Sequence, residues 1–251
     1  MASEKLTGKV AIITGASKGI GAAIARGFAT EGASVVVNYA SSKQGADAVV
    51  GEITKAGGRA IAVQADCSKE DDIRRMFDET RRAFGRVDIL VNNAGVYEFV
   101  PLQEVTPARY HRMFDLNVLG VILASREAVR NFGSEGGVII NLSSVASRVA
   151  LPAGAVYCAT KAAVDAVTRC LAAELGPRQI RVNSINPALV ETEGVHAAGL
   201  ASGDFREQQE AQTPLGRIGQ PDDIVPLAIY LASSDASWMT GESLYITGGV
   251  R

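Results

Sequence analysis

The chain has 251 residues, 47% of them hydrophobic, with 25 basic against 27 acidic side chains and a formal charge of −2. It is long enough to bury a full core, and it has no basic block with which to hold nucleic acid. No apolar run reaches the length of a membrane span and residues 1–10 lack the apolar core of a secretory signal, so the cytoplasm is the expected location.

Short apolar runs alternate with helical patterns along nearly the whole chain. Residues 10–14, 34–39, 59–64, 88–92, 138–143, 181–186 and 243–247 read as strands, apolar on both sides as in a parallel sheet covered on both faces. Helical patterns fall between them, at 19–31, 42–56, 69–84 and 106–130. This alternation predicts an α/β fold: a doubly wound, Rossmann-like parallel sheet of about seven strands with helices on both faces, in a single domain over residues 1–251. Residues 191–219 break the rhythm. They are polar, contain Gly194, Gly199 and Gly203 as candidate hinges, and have the length of a substrate lid. A pair of ordinary surface helices is the competing reading.

The first strand runs into Thr14-Gly15-Ala16-Ser17-Lys18-Gly19-Ile20-Gly21 and then an Ala-rich helix. Glycines at 15, 19 and 21 permit a tight turn, close backbone approach to a pyrophosphate and close helix–strand contact. The N–H groups opening the helix would face the phosphates. The spacing is G-x-x-x-G-x-G, not the general G-x-G-x-x-G, and an ordinary Gly-rich turn competes with it. At the end of the second strand, where an NAD enzyme places an acid for the ribose hydroxyls, stands Tyr39 within Asn38-Tyr39-Ala40-Ser41-Ser42-Lys43. Lys18 supplies a cation and Ser41 and Ser42 supply hydroxyls, a set that favours a 2′-phosphate and hence NADP(H). Ser42 also reads as a helix N-cap.

Tyr157 follows Ser144 by thirteen residues and precedes Lys161 by four. Val156, Val164, Val167, Leu171 and Leu175 recur at near-helical spacing, which puts Tyr157 and Lys161 on one helical face. Ser144 follows the strand-like Val138-Ile139-Ile140-Asn141-Leu142, which delivers a hydroxyl at its carboxyl end. A phenol holds its proton to about pH 10. An ammonium one turn away should lower that value, and a neighbouring hydroxyl could polarise a carbonyl oxygen. The set suits reduction of C=O or oxidation of CH–OH. Taken alone, the Tyr–Lys pair also fits a solvated helix face.

Together these motifs resemble the short-chain dehydrogenase/reductase family, over essentially all 251 residues. Asn92-Asn93-Ala94-Gly95 resembles the family's NNAG segment, which lines the cofactor site. Asp66, followed by Cys67, matches the acid that contacts adenine. Asn117 matches the Asn that completes an Asn-Ser-Tyr-Lys tetrad with Ser144, Tyr157 and Lys161. Asn186-Pro187-Ala188-Leu189-Val190-Glu191-Thr192 resembles N-P-G-x-V-x-T, with Ala188 in place of the usual Gly. The resemblance implies that Tyr157 is the proton donor and that Ser144 holds the substrate oxygen. It implies that Lys161 lowers the Tyr157 pKa and holds the ribose, and that Asn117 positions a water. It assigns cofactor contacts to Gly15, Ser17, Lys18, Gly19, Ile20, Gly21, Asn38, Tyr39, Ser41, Ser42, Asp66, Cys67, Asn93, Ala94, Gly95, Tyr157, Lys161, Pro187, Val190 and Thr192. Members with a loop lysine and no strand-two acid are mostly NADP-dependent. No metal is expected: Cys67, Cys158 and Cys170 have no ligand spacing, and there are two histidines.

Val96, Tyr97, Phe99, Val145, Leu151, Ala188 and Leu189 are candidate pocket residues. Their apolar character favours a small-molecule ketone or β-keto compound, reduced to a secondary alcohol. Ketoacyl-carrier-protein reductases commonly carry a basic cluster before strand five; residues 131–137 hold no cation here, although Arg178 falls where another carrier-contacting Arg is often found. Such carrier reductases, glucose 1-dehydrogenase-like members with the VVVNY strand and polyhydroxynaphthalene reductase-like members stay open as alternatives. A non-catalytic NADP sensor is a further reading, which the intact tetrad weighs against. The resemblance also implies a homotetramer, with helices 106–130 and 155–176 pairing across a two-fold axis.

Overall fold

The computed structural model describes residues 4–199 and 202–250. Its strands are β1 (Val10–Ile13), β2 (Ser34–Tyr39), β3 (Arg59–Gln64), β4 (Ile89–Asn92), β5 (Gly137–Leu142), β6 (Ile180–Pro187) and β7 (Ser243–Ile246). All pair in parallel, in the order β3-β2-β1-β4-β5-β6-β7. The order reverses between β1 and β4, which opens a crevice at the carboxyl ends of the strands, where ligands bind in sheets of this kind. Each expected strand is present to within a residue at either end.

Alternate residues of the central strands feed two separate cores. Ala11, Ile13, Val35, Val37 and Ile140 pack with Phe28 of α1 (Gly19–Thr30), Val49 and Ile53 of α2 (Lys43–Lys55), and Ile224 and Leu231 of α9 (Pro221–Ala232). Ile12, Val36, Leu90 and Ile139 face the other way. They meet Ile73 and Phe77 of α3 (Glu70–Phe84), Ala124 of α5 (Gly120–Asn131), and Ala172 and Leu175 of α6 (Ala155–Leu175). Burial on both faces is why these strands read as continuous apolar runs. α3 shows how a helix is bounded: Glu70, Asp71 and Asp72 open it, Arg81 and Arg82 lie in its last turn, and Gly85 at φ +81° ends it. Both charge sets oppose the helix dipole, and only glycine adopts that left-handed terminus without strain.

The helix expected over 106–130 is not continuous. α4 (Pro107–Phe114) passes into a π turn at Asp115–Leu119 before α5 begins. Nothing local breaks it; the turn is fixed from outside, by contacts of Asn117 described below. No helix of the described residues is long and apolar enough to cross a membrane. α7 (Glu193–Ala197) and α8 (Gly203–Gln212) lie in the segment expected to be a lid.

Candidate active site

The Gly-rich loop is locked by the segment after β4. A Cβ on Gly15, at φ +61°, would lie 2.9 Å from the Ala94 Cα, and one on Gly21 would lie 2.4 Å from the Asn93 Nδ2. That amide donates to the carbonyls of Thr14 at 2.8 Å and Gly15 at 3.0 Å, while the Thr14 hydroxyl accepts from the N–H groups of Asn93 and Ala94, both at 2.9 Å. Asn38 is buried, and its amide is consumed by the fold: Oδ1 accepts from Gly15 N–H at 3.0 Å, and Nδ2 donates to the carbonyls of Val63 and Ala65. α1 starts with no capping side chain and no acid in its first turn, which leaves its N–H groups open to an anion. These features fit a dinucleotide pyrophosphate.

Lys18, Ser41 and Ser42 are exposed beside this loop, and Ser17, Gly19 and Ile20 are half-buried. Lys43 is paired with Asp47 at 2.6 Å. Tyr39 lies in the core, not at the surface. Asp66 is half-buried and accepts from the Ser68 hydroxyl at 2.7 Å. The Cys67 thiol is pushed up to about 12 by burial, with Asp66 adding to it, so it is an inert core group.

Ser144, Tyr157, Lys161 and Asn117 converge at the carboxyl end of β5. Ser144 leads a short turn, its hydroxyl accepting from Ala146 N–H at 3.1 Å and donating to the Pro187 carbonyl at 3.5 Å, and it stands next to the Tyr157 phenol. Asn117 is buried; its Oδ1 accepts from Val96 N–H at 2.9 Å, and its Nδ2 donates to the Val96 carbonyl at 2.8 Å and the Thr160 hydroxyl at 3.2 Å. The side chain expected to hold a water is therefore fully engaged in tying the π turn to the NNAG segment and α6.

Lys161 departs from the expected arrangement. Its Nζ lies 5.8 Å from the centre of the Tyr157 ring and donates to the Leu142 carbonyl at 2.8 Å. Burial dominates both groups. It pushes the Tyr157 phenol up to about 12, against the downward pull of Ser144, and it draws Lys161 down to about 8, against Asp165. Spacing four residues apart put the two on one face, but the lysine stem runs on to the β5 carbonyl.

Two rings flank the phenol. Phe99 and Tyr97 meet the Tyr157 ring edge-on, at 5.7 and 6.2 Å between centroids, and both are about two-fifths exposed (41% and 37%). They make a partly exposed aromatic cluster beside the phenol. Of the other pocket candidates, Val145 is buried. Ala188 and Leu189 line a separate cavity of about 170 Å³ with Thr213, Leu215 and Ile246, a cavity that Ser144, Tyr157 and Lys161 do not touch. Arg178 donates to the Val129 carbonyl at 2.9 Å, a structural use for the one candidate carrier contact.

A family model described as enoyl-(acyl carrier protein) reductase matches residues 15–251. An uncharacterized oxidoreductase of Methylorubrum extorquens is 58% identical over 99% of this chain and 100% of its own length. The versicolorin reductase stcU of Emericella nidulans is 38% identical, over 98% of this chain and 96% of its own. A short-chain dehydrogenase from Burkholderia cenocepacia, solved in complex with NADP, superposes with a TM-score of 0.92 at 38% identity, covering 98% of this chain and 99% of that one. The chain belongs to the short-chain dehydrogenase/reductase family.

In this oxidoreductase the segment after the family's N-P-x-x-V-x-T stretch is tied together at its base. Val190 bridges Gly219, and Glu191 N–H donates to the Gly219 carbonyl at 2.8 Å. The Glu191 carboxylate also accepts from Gln220 at 2.9 Å and Arg206 at 3.0 Å, with His196 at 3.1 Å, and these contacts, Gln220 first, hold it below the usual range. Gly199 and Gly203 adopt positive φ, +71° and +68°, a conformation glycine takes without strain. Gly194 does not: it lies inside α7, where a Cβ would make only ordinary contact with the Tyr97 hydroxyl, at 3.5 Å. Motifs had singled out neither Asp165 nor the side chain of Asn186, which form a buried polar network behind Lys161. Within the described residues no group of three His, Cys, Asp or Glu could hold a metal ion.

Proposed function

We propose that this enzyme reduces the carbonyl of an apolar, ring-bearing ketone or β-keto compound to a secondary alcohol, with NADPH as the reductant. One observation carries the reading: the half-buried Tyr157 ring, next to Ser144, is flanked edge-on by the partly exposed rings of Tyr97 and Phe99. When bound, the nicotinamide supplies a hydride to the carbonyl carbon. Ser144 donates to the carbonyl oxygen, a bond that strengthens as negative charge develops there. Tyr157, protonated throughout the working range, delivers its proton to the same oxygen. Lys161, on the cofactor side, holds the ribose hydroxyls. The Asn117 amide, bonded to Val96 and Thr160, holds the π turn against the NNAG segment and α6.

NADPH preference is supported by the exposed Lys18, Ser41 and Ser42, by the lack of an acid at the end of β2, and by the NADP bound in the Burkholderia relative. The test is one panel: aryl ketones, diketones, β-keto esters, acetoacetyl thioesters and sugars, each with NADPH and NADH. Ring-bearing ketones with NADPH should lead. Lys18→Ala should lower kcat/KM for NADPH about tenfold, the worth of one charge-assisted bond to phosphate, and leave NADH alone. A lead by the thioesters or the sugars would move the assignment to a carrier reductase or a sugar dehydrogenase. Equal use of both cofactors, unchanged in Lys18→Ala, would defeat the charge argument.

Residues 191–219 act as a substrate lid on this single Rossmann-like unit. α8 has no buried residue, so moving it breaks little apolar packing, and what it must release is the Arg206–Glu191 ion pair. Amide hydrogen exchange over 203–212 should slow in the ternary complex with NADPH and an unreactive ketone analogue. Equal protection with and without ligands would make this a fixed surface element.

The enzyme assembles as a homotetramer. Leu119 at the end of the π turn, Ile122 on α5, Tyr110 on α4 and Trp238 ahead of edge strand β7 are exposed, and Trp238 wholly so. Closed symmetric pairing would cover them. Light scattering at micromolar concentration should give four times the mass of 26.3 kDa, and a monomer would contradict it.

A further inference from the structure

Asp165 sits one turn beyond Lys161 on α6 and is 5% exposed. Its oxygens accept from neutral groups: Ser184 Oγ at 3.1 Å, and Asn186 Nδ2 at 3.1 Å to Oδ1 and 2.9 Å to Oδ2. A carboxylate buried among neutral donors is costly to keep ionised unless a cation stands near. The near cation is Lys161, itself 8% exposed and bonded to a neutral carbonyl. The two lie one turn apart on α6, both buried, and Lys161 bonds to the Leu142 carbonyl rather than to the carboxylate.

We infer that Asp165 is a positioning residue for this reaction: its charge keeps Lys161 an ammonium, and through Asn186 it fixes the turn that carries Ser144. The inference rests on the roles proposed above for Ser144 and Lys161. Three charged groups near α6 have partners elsewhere. The Arg148 guanidinium lies 3.6 Å over the Tyr245 ring, Asp115 in the π turn pairs with His111 at 3.6 Å, and Arg181 on β6 donates to the carbonyls of Leu231 and Ser233. Asp165 is the charged group that raises the Lys161 pKa against burial, which has already drawn it down to about 8. Without Asp165, the balance at Lys161 would move further toward the neutral amine.

The second arm is geometric. Asn186 Nδ2 lies 3.3 Å from the Ser144 carbonyl and 3.1 Å from Ser147 Oγ, which in turn meets Tyr245 Oη at 3.1 Å. An amide can present either its oxygen or its nitrogen; a carboxylate accepts only, so Asp165 dictates that the NH2 end faces the Ser144 turn.

The test uses the full-length protein carrying ε-13C lysine, with the Lys161 resonance assigned by its loss in Lys161→Met. Asp165→Asn and the similarly sized Asp165→Thr are titrated beside the wild type, and the pH profile of kcat/KM is measured for each. The Lys161 midpoint should fall by about one pH unit in both variants, and the alkaline limb of kcat/KM should move down with it. A folded variant that loses activity at every pH with the Lys161 midpoint unmoved would reduce Asp165 to a structural residue and overturn the inference. A midpoint that moves without the alkaline limb would keep the counter-charge and instead remove Lys161 from the proposed mechanism. If one substitution fails to fold, the other carries the measurement.

Discussion

Tyr157→Phe should fold, bind NADPH as the wild type does, and turn over ketone roughly 100- to 10,000-fold more slowly, the usual loss when a positioned proton donor is removed. The ring is retained, so its edge contacts with Tyr97 and Phe99 survive. What leaves is one hydroxyl, and even a whole hydrogen bond lost with it would cost only about 1 kcal/mol of folding stability. The catalytic loss corresponds to about 3–5 kcal/mol at the transition state. The two magnitudes separate the roles: a residue that served only the core would shift stability and rate together, and this one should shift the rate almost alone. Initial rates and NADPH fluorescence titration check the two halves. A Phe variant that keeps a tenth of wild-type turnover would take Tyr157 out of the reaction.

Much of this arrangement was legible in the chain, and what was hidden had physical reasons. Strands such as Val35, Val36 and Val37 announced themselves because a sheet covered on both faces has no polar side to interrupt the run. The Gly-rich loop was legible because Gly15 and Gly21 stand where Ala94 and Asn93 leave no room for a Cβ. The π turn was not, since Asp115-Leu116-Asn117-Val118-Leu119 has ordinary helical composition and is held open by Val96 and Thr160, distant in sequence. Asp165 was hidden for a similar reason. An acid on a helix reads as solvent-facing, and its partners, Ser184 and Asn186, arrive on β6 about twenty residues later. The Tyr157–Lys161 spacing was read correctly as a shared face but not as a contact, because spacing says nothing of where a four-carbon stem ends.

Gly21→Ala sets two local effects against each other, and their sizes decide the outcome. Gly21 lies in the first turn of α1, and by helix propensity alone alanine there should gain about 1 kcal/mol. The added Cβ, however, would stand 2.4 Å from Asn93 Nδ2, 2.8 Å from the Gly15 carbonyl oxygen and 3.0 Å from the Ala16 Cα. Two of those three atoms are backbone and cannot swing aside, and overpacking of this kind costs about 1–3 kcal/mol. The third is the amide that fastens Asn93 to the Gly-rich loop through Thr14 and Gly15. Relief must therefore come from displacing that loop, so the damage should fall on the cofactor site more than on the core. We expect NADPH to bind at least about tenfold more weakly, equivalent to about 1.4 kcal/mol, with a Tm lowered by several degrees. Gly51→Ala is the control. It sits mid-way along α2 with nothing within 4 Å of a Cβ position, so only propensity acts and the protein should gain about 0.5–1 kcal/mol. Thermal melts and NADPH titrations of the two variants side by side decide the matter. If Gly21→Ala binds NADPH normally and melts as high as Gly51→Ala, the close packing of the loop against Asn93 is not what shapes the nucleotide site.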